Sequence, residues 1–172
     1  SDRMGEMHYP SLTHDLHHEV ELVVAIGKAG QNIDSAAALD HVYGYAVGLD
    51  MTRRDLQNEM KKQGRPWSIG KGYYHAAPIG PIHRVGDAGH PAKGEIRVAV
   101  NGVVKQRGDL ADMIWDVAHT LAFLSQLYEL MPGDLVYTGT PSGVGPVVPG
   151  DRLDASIAGL SPLAIVVDPP AA

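Results

Sequence analysis

Apolar and polar positions in this chain alternate over short stretches more often than they recur at helical spacing. The stretch LHHEVELVVAIGK (16–28) is rich in β-branched residues and closed by Gly27 and Gly30, so it reads as a strand. Asp34 or Ser35 can cap a short helix, SAAALDHVYG, stopped at Gly44, and YAVGLD (45–50) reads as a second strand. Thr52 can cap another short helix, RRDLQNEMKKQG, with Leu56 and Met60 on one face and a break at 64–66. Residues 70–94 are loop-rich. GEIRVAVNGVVKQRG is the clearest hairpin: Ile96, Val98 and Val100 alternate, Asn101-Gly102 is a type I′ turn signal, and 103–106 return. Residues 112–130 predict the longest helix, because Ile114, Val117, Ala118, Leu121, Leu124 and Tyr128 follow i, i+3, i+4, i+7 spacing. DLVYTG is a strand, TPSGVGPVVPGD a long tight loop, and RLDASIAG and PLAIVVD are two closing strands. Strands outnumber helices and do not follow strict βαβ alternation. The expected class is α+β: a mixed β-sheet roll or barrel with a few short helices.

Composition narrows the function. A length of 172 residues suits one domain, expected to span 1–172. Residues 1–7 show no pattern of an ordered start. The net charge of −6 argues against nucleic-acid binding, which calls for a basic face. There is no cysteine, which removes disulfides, thiolate nucleophiles and Cys-ligated metals and suits a reducing cytoplasm. No apolar run approaches the ~20 residues of a membrane span, so no membrane partner is expected. No charged and apolar leader pattern opens the chain.

The candidate chemistry lies in acids. Glu19 and Glu21 are two apart in a strand, so period two puts both on one face while Val20, Leu22 and Val24 face a core. Neighbouring carboxylates on a half-buried strand call for a shared proton, a cationic side chain or a metal. Their oxygens suit Mg²⁺, Mn²⁺ or Ca²⁺. E-x-E is also what a solvent-facing strand edge looks like. Asp50 ends the second strand and is either a turn residue or a third acid of the same group. Three carboxylates around one divalent ion leave one net negative charge, which Lys71 in the segment GKG can balance; taken alone, Lys71 also reads as a solvated surface lysine. Arg54 and Gln57, three apart, share a helical face, either to grip a carboxylate or as plain helix surface. The loop from Thr138 through Gly139 and Thr140 to Gly145 can aim several N–H groups at an anion, or can be a structural turn.

Other patterns fail. GRPWSIGKG lacks the spacing and the Ser/Thr of a P-loop, and the glycine loop does not fit G-x-G-x-x-G. HHEVEL lacks the second His of H-E-x-x-H. His17 and His18 point to opposite faces of an extended chain, so His14, His17 and His18 do not read as one metal site. No G-x-S-x-G elbow is present.

The ordered set DLHHEVELVVAIGK, YGYAVGLDMTRRDLQ, W-x-x-GK with PIGP, NGVVKQRGDLADMIW and LMPGDLVYTGTPSGVG-x-x-x-PGD resembles the fumarylacetoacetate hydrolase family, from about Tyr9 to Asp168. The DMTRRDLQ and HHEVEL forms look most similar to members that cleave fumarylpyruvate in gentisate-type aromatic breakdown. The resemblance implies metal ligands at Glu19, Glu21 and Asp50, and substrate binding by Arg54, Gln57, Lys71, Gly139 and Thr140. Lys71 and Thr140 take the catalytic positions. It implies Mg²⁺ (or Mn²⁺, Ca²⁺), a small 2-oxo diacid substrate and a homodimer. The implied reaction is hydrolysis of a carbon–carbon bond between two carbonyls, the cation serving as Lewis acid. Decarboxylation of oxaloacetate on the same site, or a catalytically silent metal-binding fold, are the alternatives. Leu49 and KGYY (71–74) depart from the family's usual Asn and K-[SG]-F-D. The resemblance also implies an upstream lid carrying a His and Glu that serve as general base. No stretch here matches it, so the chain is expected to lack that segment and the base is unassigned.

Overall fold

The computed structural model describes residues 5–170. Strand β1 (Gly5–His8) lies parallel to the final strand of the chain, with Gly5 opposite Ile165 and His8 opposite Asp168. This corrects the expectation for residues 5–7, which do form an ordered start; residues 1–4 lie outside the described residues. A four-residue strand leaves no periodic trace, and its partner is at the other end of the sequence.

The apolar run at 16–28 is two strands. β2 (Leu16–His18) and β3 (Val20–Ile26) belong to different sheets and meet at Glu19. All of β3 is buried, as expected of a strand covered on both faces. β4 (Val42–Leu49) pairs antiparallel along β3 from Val20↔Leu49 to Ile26↔Val42. The helix expected at 35–44 shrinks to a 3₁₀ turn at Ala38–His41. Gly44 is not a helix stop: a Cβ there would lie 2.2 Å from the His83 carbonyl, so glycine admits a neighbouring backbone. β5 (Thr52–Arg53) leads into α1 (Arg54–Lys62). Thr52 does not cap α1; its hydroxyl donates to the Asp50 carbonyl at 3.2 Å.

The loop-rich stretch holds α2 (Ser68–Lys71), β6 (His83–Arg84) and α3 (Val85–Ala88). β7 (Glu95–Val100) and β8 (Val103–Asp109) form the expected hairpin, with positive φ at Asn101 (50°) and Gly102 (79°). A bulge shifts the register between Val98 and Ala99, so Gln106 stands opposite Val98. The helix expected at 112–130 is α4 (Val117–Leu127), capped by Asp116, whose carboxylate accepts from the His119 N–H at 2.8 Å. Ile114 therefore lies outside the helix and outside the core, at 99% exposure. β9 (Leu135–Tyr137), β10 (Gly145–Val147), β11 (Arg152–Ile157) and β12 (Leu163–Asp168) complete the chain. β10 falls within the expected long loop.

The strands form three sheets, ordered β1-β12-β11-β7-β8, β6-β4-β3-β9 and β10-β2-β5. Among the described residues they do not close into a barrel, and the α+β class holds. The core lies between the first two sheets, where Leu22 and Val24 of β3 and Tyr45 and Val47 of β4 join Val98, Leu153 and Ile165. α4 adds Leu121. The small third sheet sits at the Glu19 switch and carries the chain toward α1.

Candidate active site

Glu19 occupies the residue between β2 and β3. Its carbonyl accepts from the Asp50 N–H at 2.8 Å, which seats Asp50 directly across from it at the end of β4. Glu21, two residues along, lies opposite Gly48. The three carboxylates converge: one oxygen from each lies within 4.8 Å of the others. Glu19 and Glu21 are buried, so the solvent-facing edge reading does not hold.

Two cations enter this cluster. Arg54, in the first turn of α1, directs Nη2 at Glu19 Oε1 and donates from Nη1 to Gln57 Oε1 at 2.7 Å. Gln57 is buried, so this face of α1 is not plain helix surface. Lys71, at the end of α2, donates from Nζ to Glu19 Oε2 at 2.8 Å and to Asp50 Oδ2 at 2.5 Å. Among the described residues Glu21 receives only a neutral donor, the Gly139 N–H at 2.7 Å. The electrostatics follow. Burial raises Glu19, but Lys71 and Arg54 overcome it and hold the carboxyl below its ordinary range. Burial pushes Asp50 up against the pull of Lys71, with Glu19 adding to the rise. Burial, then Asp50 and Glu19, push Glu21 up to about 7.

Three oxygen donors facing two cations leave one unmatched negative charge, on the most deeply buried acid. That donor set fits a hard divalent cation at Glu19, Glu21 and Asp50. No histidine among the described residues hydrogen-bonds a member of the cluster. His17 Nε2 pairs with Asp15 at 2.9 Å and His18 Nδ1 with Gln106 at 2.8 Å, so the two do point to different partners.

Gly139 and Thr140 bring the 138–145 loop to the same place. Thr140 Oγ1 donates to the Val20 carbonyl at 2.8 Å, between the two glutamates in sequence. A groove of about 590 Å³ shares Thr138, Gly139 and Thr140 with this loop, but Leu22, Ile96 and Trp115 line it and none of the three acids does. Sequence reasoning missed Gln106. It is 1% exposed and hydrogen-bonds His18, Val20, Thr140 and Pro141. The signal was the hairpin: Val98 faces the core, so its cross-strand partner must too. An unbulged two-residue turn, however, would have put Lys105 there.

Known proteins give the same picture. Residues 2–168 match the C-terminal domain of fumarylacetoacetate hydrolase. A fumarylpyruvate hydrolase from a Ralstonia species is 43% identical over 164 residues, 94% of this chain and 83% of that protein. A mitochondrial oxaloacetate decarboxylase from Dictyostelium discoideum is 43% identical over 159 residues, 91% of this chain and 72% of its own length. The crystal structure of fumarylpyruvate hydrolase from Pseudomonas aeruginosa, in complex with Mn²⁺ and pyruvate, superposes with a TM-score of 0.94 at 51% identity, covering 96% of this chain and 71% of that one. With the acid cluster, the lysine and the glycine loop in these positions, the chain belongs to the fumarylacetoacetate hydrolase family.

Proposed function

We propose that this chain is a metal-dependent hydrolase that cleaves fumarylpyruvate to fumarate and pyruvate. The carrying observation is the convergence of Glu19, Glu21 and Asp50 within 4.8 Å beside Lys71 and the 138–145 loop. A divalent cation held by the three acids supplies Lewis acidity. The protein's residues do the rest. Lys71 and Arg54 balance the acids and sit beside them to receive a substrate carboxylate. Gln57 fixes the Arg54 guanidinium. The 138–145 loop, tied to Glu21 through the Gly139 N–H, forms the wall beside which the reacting carbonyl sits. Water adds its oxygen to the acyl carbon, the bond to the neighbouring CH₂ breaks, and the three-carbon half leaves as an enolate that takes up a proton to become pyruvate. The base that activates the water is not assigned to a described residue.

A second reading has an observation of its own. The Dictyostelium decarboxylase is as similar as the Ralstonia hydrolase, at 43% identity, and both reactions pass through an enolate of a 2-oxo acid. Side-by-side assay of fumarylpyruvate and oxaloacetate with Mg²⁺ or Mn²⁺ decides. Hydrolysis predicts faster loss of fumarylpyruvate absorbance, abolished by chelator. Faster turnover of oxaloacetate would replace this reading. Activity surviving full chelation, or persisting in Glu21→Ala, would remove the metal role. Tight metal binding without turnover of either acid would leave a silent metal-binding fold.

The finer reading is a Mg²⁺-loaded cytoplasmic homodimer of single-domain protomers. Exposed apolar side chains at Ile114, Trp115, Phe123 and Leu127 support the self-association, and light scattering tests it. No helix among the described residues is long and apolar enough to cross a membrane.

A further inference from the structure

Gln106 is buried, and each polar valence of its amide is used. The Val20 N–H can only donate, and it meets Oε1 at 3.1 Å. The Pro141 carbonyl can only accept, and it meets Nε2 at 2.7 Å. These two backbone groups fix which way round the amide sits. Two consequences follow. Oε1 also faces Nδ1 of buried His18 at 2.8 Å, so His18 carries its proton on Nδ1. Nε2 also donates to Thr140 Oγ1 at 2.8 Å. The Thr140 hydroxyl proton goes to the Val20 carbonyl, also at 2.8 Å. With its proton committed and one lone pair occupied, that hydroxyl has a single acceptor site left.

The backbone clamps the same loop to β8. Gly143 has φ +100°, and a Cβ there would fall 2.3 Å from the Lys105 carbonyl. Lys105 is the residue that the β7–β8 bulge leaves unpaired. The bulge thus does two things at once: it turns Gln106 inward and presents a carbonyl against which the glycine loop lies.

We propose that Gln106 is a positioning residue that holds the Thr140 hydroxyl as an acceptor for an O–H group of the reacting water or substrate. It acts through Thr140 and fixes the 138–145 loop against the Glu19–Glu21 strand. This rests on the reading that the loop faces substrate at the acid cluster. An acceptor-only hydroxyl steers an O–H; it does not hold a carboxylate or an oxyanion. Its loss therefore slows turnover and leaves the binding of a 2-oxo acid mimic in place.

The test compares wild type, Gln106→Met, Gln106→Glu, Thr140→Val, Thr140→Ser and the Gln106→Met/Thr140→Val pair, all loaded with Mn²⁺. Oxalate and Mn²⁺ affinities are read by calorimetry and kcat with fumarylpyruvate. Gln106→Met, Gln106→Glu and Thr140→Val each should lose about tenfold in kcat, the size expected of one hydrogen bond. Thr140→Ser, which keeps the hydroxyl, should lose clearly less than Thr140→Val. The double variant should be no worse than the weaker single one, because both remove the same contact. Oxalate and Mn²⁺ affinities should stay within about threefold. Multiplying losses, or an equal collapse of oxalate affinity, would overturn the proposal. If neither Gln106 variant folds, or wild type turns over neither acid, nitrogen-15 NMR of the wild-type protein decides separately. Slowly exchanging Gln106 side-chain protons and an Nδ1–H His18 are expected; rapid exchange or an Nε2–H tautomer would overturn the proposal whatever the reaction proves to be.

Discussion

Glu21 differs from Glu19 and Asp50 by one contact: among the described residues no cationic side chain hydrogen-bonds it. Its carboxyl, pushed up to about 7 by burial, competes for a proton where its neighbours are already held by Lys71 or Arg54. The sign for metal binding follows, since a ligating carboxylate must first be deprotonated. Mn²⁺ affinity should rise from pH 6 through about pH 7 and level off toward pH 8, as read by calorimetry; an affinity flat across that range would contradict it. Folding of the metal-free protein has the opposite sense. A carboxyl raised in the folded state contributes stability that is complete below its ordinary value of 4.5 and is lost as pH passes through about 7. Urea titration in chelator at pH 6 and pH 8 should show the higher midpoint at pH 6. In Glu21→Gln that difference should shrink, while Mn²⁺ affinity falls by more than the roughly 10–100-fold typical of losing an outer partner of a metal ligand.

At the scale of elements, the site depends on where strands stop and shift. β2 and β3 part at Glu19, and Asp50 follows directly on β4, so two strand boundaries place two of the acids face to face. Continuous alternation would have kept Glu19 and Glu21 on one face; the break between sheets does not separate them because the Asp50 N–H pins the Glu19 carbonyl. The hairpin turn was legible because Asn-Gly tolerates positive φ, whereas the bulge beside it was not, since no side chain in VVKQR demands it. The helix at 35–44 was a misreading of the same kind: Ala-rich spacing favours a helix, but pairing of β4 with β3 won over local propensity. Gly44→Ala should test that pairing. A Cβ 2.2 Å from the His83 carbonyl has to displace β6, and overpacking of this sort costs about 1–3 kcal/mol. The melting temperature should drop by about 2–10 °C; an unchanged melt would mean that β6 yields freely.

For the whole molecule, the relevant balance is between the acid cluster and its cations. A metal that binds only the folded state adds about 2.7 kcal/mol at a hundredfold excess over its dissociation constant. Mn²⁺ should therefore raise the melting temperature by about 5–10 °C, and chelator should reverse it. The same addition to Glu19→Gln or Asp50→Asn should give little or no shift, and an undiminished shift would place the metal elsewhere. The sequence by itself determined the α+β class and the β7–β8 hairpin, because each leaves a local mark, a period or a turn dipeptide; the residues of the acid cluster were named by the ordered motifs that resemble the family, since the spacing of the acids alone fits a solvent-facing strand edge as well. Only the tertiary structure decided that β1 pairs with β12, that Arg54 and Lys71 bind Glu19 and Asp50 directly, that Glu21 has no hydrogen bond from a cation among the described residues, and that Gln106 holds the loop. Those outcomes depend on pairings across many tens of residues and on one bulge, and the energy that selects them is shared among partners that no single stretch of sequence contains.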